Sequence, residues 1–278
     1  MKRLALACLV AACLPVGHAA PRGQPSYGSE IPPTSVVAQL DQLAPERPGT
    51  VDLYAIVVGG DGTEDVFRRE VAQVRRVLEE RFDAAGRTVT LVNTRSAPEP
   101  EATLRSLDYA LKRVAAKMNR DEDILFLHLT THGGSNHVLV LSHGDRELYG
   151  LSPAYLKALL DQAGIRYRVV VVSACYSGAF VAPLASPSAL VITAANSKRQ
   201  SFGCGKDSPI TEFSKAFYVD ALRQTRSFPQ AARIATQIVH EAERAQKRKH
   251  SYPQMRLGAA LEDPLRSFEQ RLANGTPR

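Results

Sequence analysis

A cysteine and a histidine, each closing a β-branched or aliphatic run, are the residues of this chain best placed to do chemistry. Val169-Val170-Val171-Val172-Ser173-Ala174 stops at Cys175, and Tyr176-Ser177-Gly178 turns away from it. Upstream, Ile124-Leu125-Phe126-Leu127-His128-Leu129-Thr130-Thr131 stops at His132-Gly133-Gly134. In α/β folds, ligands bind beyond the carboxyl ends of the strands, so two parallel strands of this kind would set a base and a thiol on one rim. A thiol of ordinary acidity, pKa about 8.5, is mostly protonated at neutral pH and needs such a base. His132 would take the proton and return it to a leaving amine. The backbone N–H groups of Gly133 and Cys175 would face the carbonyl oxygen as it becomes an oxyanion. The chemistry implied is acyl transfer through a thioester on Cys175, the work of a cysteine peptidase.

Other chemistries fit less well. His128 and His132 are four apart, but their segment reads as a strand and lacks the Glu of His-Glu-x-x-His. His137 and His143 have no Cys or acidic residue at ligand spacing. No metal and no cofactor are therefore expected. Gly59-Gly60-Asp61-Gly62 is neither a Walker loop nor a full Gly-x-Gly-x-x-Gly, and no Gly-x-Ser-x-Gly elbow occurs. The formal charge is +7, but basic residues are spread along the chain. One cluster, Lys247-Arg248-Lys249-His250, reads as cations closing a helix, where they favour the dipole. No aromatics interleave with it, so no nucleic-acid partner is expected.

The elements that must carry the pair alternate along the chain. Strands are predicted at 53–58, 88–92, 124–131, 168–173 and 189–194, with a last one at 254–258 and a short excursion at 138–141. Helices are predicted at 65–84, 101–118, 152–163, 211–223 and 229–247, several with apolar residues at three-to-four spacing. Ser152-Pro153 gives one of them a cap and a first-turn proline. This alternation means βαβ units, a mainly parallel sheet and helices on both faces: a three-layer α/β/α sandwich.

The ends read differently. Met1-Lys2-Arg3, the apolar stretch Leu4 to Ala12 and Gly17-His18-Ala19 have the order of an export signal over residues 1–20. Val10-Ala11-Ala12-Cys13 also has a lipobox-like order, so a lipid anchor through Cys13 is the alternative to a soluble periplasmic or secreted protein. Residues 21–50, rich in Pro, Gly and Ser, read as an extended leader, 51–265 as one domain, and 266–278 as a tail. Of four cysteines, Cys8 and Cys13 lie in the signal. Cys175 and Cys204 are left to pair as a disulfide or to stay free.

The residues from about 50 to 260 resemble the legumain-type cysteine peptidases, which have the caspase-like fold. Thr131-His132-Gly133 matches the family's His-Gly, Ala174-Cys175-Tyr176-Ser177-Gly178 its Ala-Cys-x-Ser-Gly, and Thr193-Ala194-Ala195-Asn196 its Thr-Ala-Ala-Asn. The resemblance implies a Cys175–His132 dyad acting on a peptide or protein substrate. It further implies a substrate pocket that includes Arg68, Ser201 and Glu212, and such a pocket would suit cleavage after Asn or Asp. Ser173 is expected in the same substrate pocket, in the place of a family carboxylate, and Val66 stands where legumain has the Asn that backs its catalytic His. No counterpart of the animal family's large C-terminal prodomain, and no activation by that route, is expected. The competing expectation is an idle caspase-like domain that binds peptides or a partner in the same groove. Oligomeric state is left open.

Overall fold

The structure, a computed structural model, describes residues 32–275 except 99, 100, 145, 149, 206 and 207. The export signal, Cys13 and the leader up to residue 31 lie outside the described residues. Eight strands are described: β1 (Leu53–Gly59), β2 (Thr88–Val92), β3 (Ile124–Thr130), β4 (Ser142–His143), β5 (Arg146–Glu147), β6 (Tyr167–Ser173), β7 (Ala189–Thr193) and β8 (Gln254–Leu257). Six of them form one sheet in the order β2-β1-β3-β6-β7-β8, parallel except where β8 pairs antiparallel with β7. β4 and β5 form a separate small hairpin. The three-layer α/β/α expectation holds.

Every residue of β1 and β3 is buried, as expected where helices cover both faces of a parallel sheet. Alternate residues such as Leu53, Ala55, Val57, Ile124, Phe126, Val169, Val171, Leu190 and Ile192 point into one core. Over that face lie α2 (Asp65–Arg81), α8 (Phe228–Ala245), α9 (Glu262–Ala273), and the segment formed by α6 (Glu212–Ser214), a π-helical stretch (Lys215–Ala221) and α7 (Leu222–Gln224). The opposite face carries α1 (Thr34–Asp41), α3 (Leu104–Lys117), α4 (Pro153–Ala163) and α5 (Val181–Leu184). Hydroxyl caps begin several of these helices: Thr103 accepts from Ser106 N, Ser152 from Tyr155 N, and Thr211 from Ser214 N.

Three sequence expectations need correction. The leader expected over 21–50 contains α1, whose Val36 and Leu40 are fully buried. The tail expected from 266 onward belongs to α9, which buries Leu265, Phe268 and Leu272. Their spacing of three to four is the apolar stripe of a packed helix, a signal present in the chain. The basic cluster at 247–250 lies past the end of α8, with Lys247 in the left-handed region at φ 52°. It therefore leads into β8 rather than completing a helix.

Candidate active site

β3 and β6 are paired in parallel register to their last residues, Thr130 opposite Ser173, and Thr131 N still donates to Ser173 O (3.4 Å). One and two residues further on stand His132 and Cys175. The two backbones remain in contact there: a Cβ on Gly133 would overlap the Cys175 carbonyl oxygen. Only glycine lets the strands' extensions meet so closely.

Tyr176 follows with φ 57° and ψ 13°, a left-handed conformation uncommon for a bulky residue. It reverses the chain so that Cys175 sits at the tip. The turn is held from below, because Ser177 Oγ accepts from Ala195 N (3.1 Å). A Cβ on Gly178 would lie 2.7 Å from the Asn196 Cα. The Ala-Cys-x-Ser-Gly and Thr-Ala-Ala-Asn segments are thus two sides of one packed joint, which explains why both sets of residue types occur together.

The thiol's polar neighbours are Ser201 O (3.6 Å) and Ser201 Oγ (3.8 Å). The His132 ring meets Phe67 edge-on, centroids 5.1 Å apart. Among the described residues the imidazole has no hydrogen-bond partner, and Val66, fully buried and apolar, offers none. The backbone N–H groups of Gly133 and Cys175 likewise have no protein acceptor among the described residues, whereas Tyr176 N donates to Arg199 O (2.7 Å). The rim therefore carries a thiol, a half-buried imidazole and two free N–H donors, the set that thioester acyl transfer requires.

Cys204 is also a free thiol. Burial pushes its pKa up, and the neighbouring Cys175 and Glu64 push in the same direction.

The pocket residues expected from the sequence separate. Ser201 lies against the thiol, as described. Glu212 joins the same segment through its N–H, which donates to Phe202 O (3.1 Å), and its carboxylate pairs with Arg248 (2.5 Å). Arg68 is a correction. It is exposed, pairs with Asp65, and lines a cavity with Thr90, Val92 and Thr94 on the β2 side of β1. The sheet order places β2 on the side of β1 opposite β3 and β6. Residue 69, one step round the helix, faces the other way: Arg69 donates to Ser208 O (2.6 Å) and Pro209 O (3.3 Å).

Ser173 is the second correction. It is buried and its hydroxyl is used internally, 3.0 Å from Thr211 Oγ1 and 3.1 Å from Ser214 Oγ. It is the upper end of a polar network that sequence reasoning missed. Ser214 Oγ and Thr211 N donate to the Glu70 carboxylate (2.6 and 3.2 Å). Glu70 Oε1 lies 3.1 Å from His128 Nε2, and His128 Nδ1 lies 2.9 Å from Tyr218 Oη. Glu70, His128 and Tyr218 are all within 1% of complete burial. Burial acts to raise the Glu70 carboxyl, but His128, Ser214 and Thr211 together hold it below its ordinary value. Isolation from water pushes the Tyr218 hydroxyl well up, with the Glu70 charge adding to it. His128 is thereby enclosed between the Glu70 carboxylate and the Tyr218 hydroxyl.

The profile of the peptidase C13 family matches residues 107–262, more than half of the chain, a stretch that includes His132, Cys175, Ser201 and Glu212. No curated protein sequence matches. Among solved structures, the chain is similar to the crystal structure of caspase-1 from Spodoptera frugiperda. That likeness has TM-score 0.53 at 14% identity, and covers 77% of this chain and 90% of that one. It is similar also to the structure of pro-sf-caspase-1, with TM-score 0.52 at 13% identity, and 77% and 95% covered. At such identities the likeness concerns the fold, and the fold is caspase-like. With the profile match over the strands that bear Cys175 and His132, the chain belongs to the peptidase C13 family.

Proposed function

We propose that this protein is an exported, legumain-like cysteine endopeptidase working through a Cys175–His132 dyad. The observation that carries this reading is the contact of Gly133 with the Cys175 carbonyl, which sets both residues of the dyad and two unbonded N–H groups at one point of the rim. His132 removes the thiol proton, and Sγ bonds to the scissile carbonyl carbon. The oxyanion so formed accepts from the N–H groups of Gly133 and Cys175. Collapse breaks the C–N bond, His132 gives its proton to the departing amine, and a thioester remains. Water then adds at the same carbon with His132 as base, releasing the acid and restoring the thiol.

The thiol rests against Ser201 O, so a side-chain rotation toward the imidazole precedes attack. Such alignment commonly tightens only in the substrate complex. Cleavage after Asn or Asp is the preference favoured by Ser201 and Glu212, with Arg69 in place of Arg68 as the arginine on the thiol's side of α2. Export through residues 1–20, or tethering through Cys13, completes the reading. No helix among the described residues is long and apolar enough to cross a membrane.

Iodoacetamide labelling at pH 6–7, read by mass spectrometry, tests the dyad. Cys175 is expected to react well ahead of Cys204, whose thiol burial keeps protonated, and the lead is expected to vanish in His132→Ala. Equal slow labelling of both would instead indicate an idle binding domain. A peptide library then reports the residue before the cut.

A further inference from the structure

Beside the candidate site lies a cavity of about 280 Å³ walled by two segments distant in sequence. One wall is Lys198, Arg199 and Gln200, following β7. The other is Lys249 and His250, preceding β8, and Tyr176 and Phe202 close the ends. The antiparallel β7–β8 pair brings the walls together.

Its charge is one-sided. Lys198, Arg199 and Lys249 are cations, and among the described residues no carboxylate lines the cavity. Two acidic groups on the neighbouring segments are engaged elsewhere. Glu243 is buried behind His250, holding its Nδ1 (3.1 Å) and the N–H of Ser251. Glu212 is paired with Arg248, whose guanidinium sits 4.8 Å from the Phe202 ring centroid. Arg199 lies 6.0 Å from the Tyr252 ring centroid, and among the described residues no carboxylate pairs with it. Three like charges drawn to a shared concavity repel one another, and an anion seated among them removes that repulsion.

The location identifies the anion. Tyr176 follows Cys175 directly, and Ser201, in the same segment as Lys198 and Arg199, touches the thiol. A peptide whose scissile bond lies on Cys175 passes this cavity within a few residues of the cut, at about 3.3 Å per residue. The volume lies below the usual range for drug-sized ligands, about 300–1,000 Å³, and suits one side chain.

We infer that this cavity is a substrate subsite for the carboxylate of an Asp or Glu within about four residues of the scissile bond. The occupant's identity as substrate rests on the peptidase reading above. Arg199 offers a planar fork to the carboxylate, and the two lysines act as point charges.

Fluorogenic peptides differing only as Glu or Gln at each position flanking the cut provide the test. At one position the Glu peptide is expected to be cleaved at least tenfold faster, with the gap shrinking as salt rises from about 50 mM to about 500 mM. In Lys198→Glu/Lys249→Glu, both positions being exposed, the gap is expected to close and a Lys peptide to become the preferred one. Equal rates for Glu and Gln at every position, or a gap that survives the double reversal, overturn the inference. Fluorescence anisotropy with Cys175→Ala reads the subsite without catalysis. Tighter binding of the Glu peptide supports the subsite even if the wild type cleaves nothing, a result that would sink the peptidase reading alone. Equal binding of the two peptides overturns the subsite.

Discussion

Replacing Gly133 by alanine tests the geometry at its tightest point. The added methyl would overlap the carbonyl oxygen of Cys175, with Ala174 Cβ a further 3.4 Å neighbour. Backbone cannot rotate aside as a side chain can, so the two strand tips must separate by about 1 Å to restore ordinary contact. A displacement of that size at the reacting groups costs about 100-fold in rate. The oxyanion donors move with it, and losing one alone costs about 10²–10³. Overpacking adds about 1–3 kcal/mol of global destabilisation. Gly134→Ala is the control, since the atom its methyl meets first is the side-chain amide oxygen of exposed Asn136, which can swing away. With a peptide chosen from the library, kcat/KM of Gly133→Ala is expected to fall at least about 100-fold, and that of Gly134→Ala less than about tenfold. Iodoacetamide labelling of Cys175 should follow the same order, and thermal melts verify that both variants fold. A folded Gly133→Ala with near-wild-type kcat/KM would falsify the argument. So would equal losses in the two variants, because the contrast rests on backbone against side-chain obstruction.

Two further predictions concern buried charge. Glu70→Ala strands His128 in a fully buried site and is expected to cost about 3–5 kcal/mol in urea unfolding, whereas Glu70→Gln, which retains a hydrogen-bonding partner, should cost clearly less. Because the Glu70 carboxyl is held below its ordinary value of 4.5, it adds stability that is present above that pH and is lost as pH falls through its lowered value. Glu70→Gln should flatten this acid limb, and an unchanged limb would contradict the assigned shift. Asp123 acts in the opposite sense. Burial, with the Asp52 and Glu122 charges, raises it from 3.8 to about 6, against the pull of hydrogen bonds from the N–H groups of Asp52 and Asn119. The folded state then holds a proton that the unfolded chain has released. Stability should therefore decline between about pH 4 and pH 6, by up to about 3 kcal/mol from a shift of about two units. Asp123→Asn is expected to remove that decline, and urea midpoints across the interval would measure it.

Much of the frame was legible in the chain. Central strands of a covered parallel sheet are continuous apolar runs, so β1, β3 and β6 stand out, and their abrupt ends at His132-Gly133 and Ala174-Cys175 mark the rim. The helices between them announce themselves by apolar spacing and by caps such as Ser152. The α9 stripe of Leu265, Phe268 and Leu272 was equally readable, and α1 less so, with only Val36 and Leu40 fully buried in it.

Properties that depend on rotation or on long-range approach were not legible. Arg68 and Arg69 are adjacent and chemically identical, and only the seating of α2 on β1 decides which of them reaches Ser208 and Pro209. The Glu70–His128–Tyr218 network joins a helix, a strand and a π-helical turn across 58 and 90 positions of chain. It also takes up the Ser173 hydroxyl that sequence reasoning had assigned to substrate. The cationic cavity exists only because β8 returns antiparallel beside β7. Residue types and local periodicity thus determine which strands form and which groups stand at their ends. The facing of each polar side chain is set by packing, because a buried hydroxyl or carboxylate goes wherever the assembled core supplies its partner.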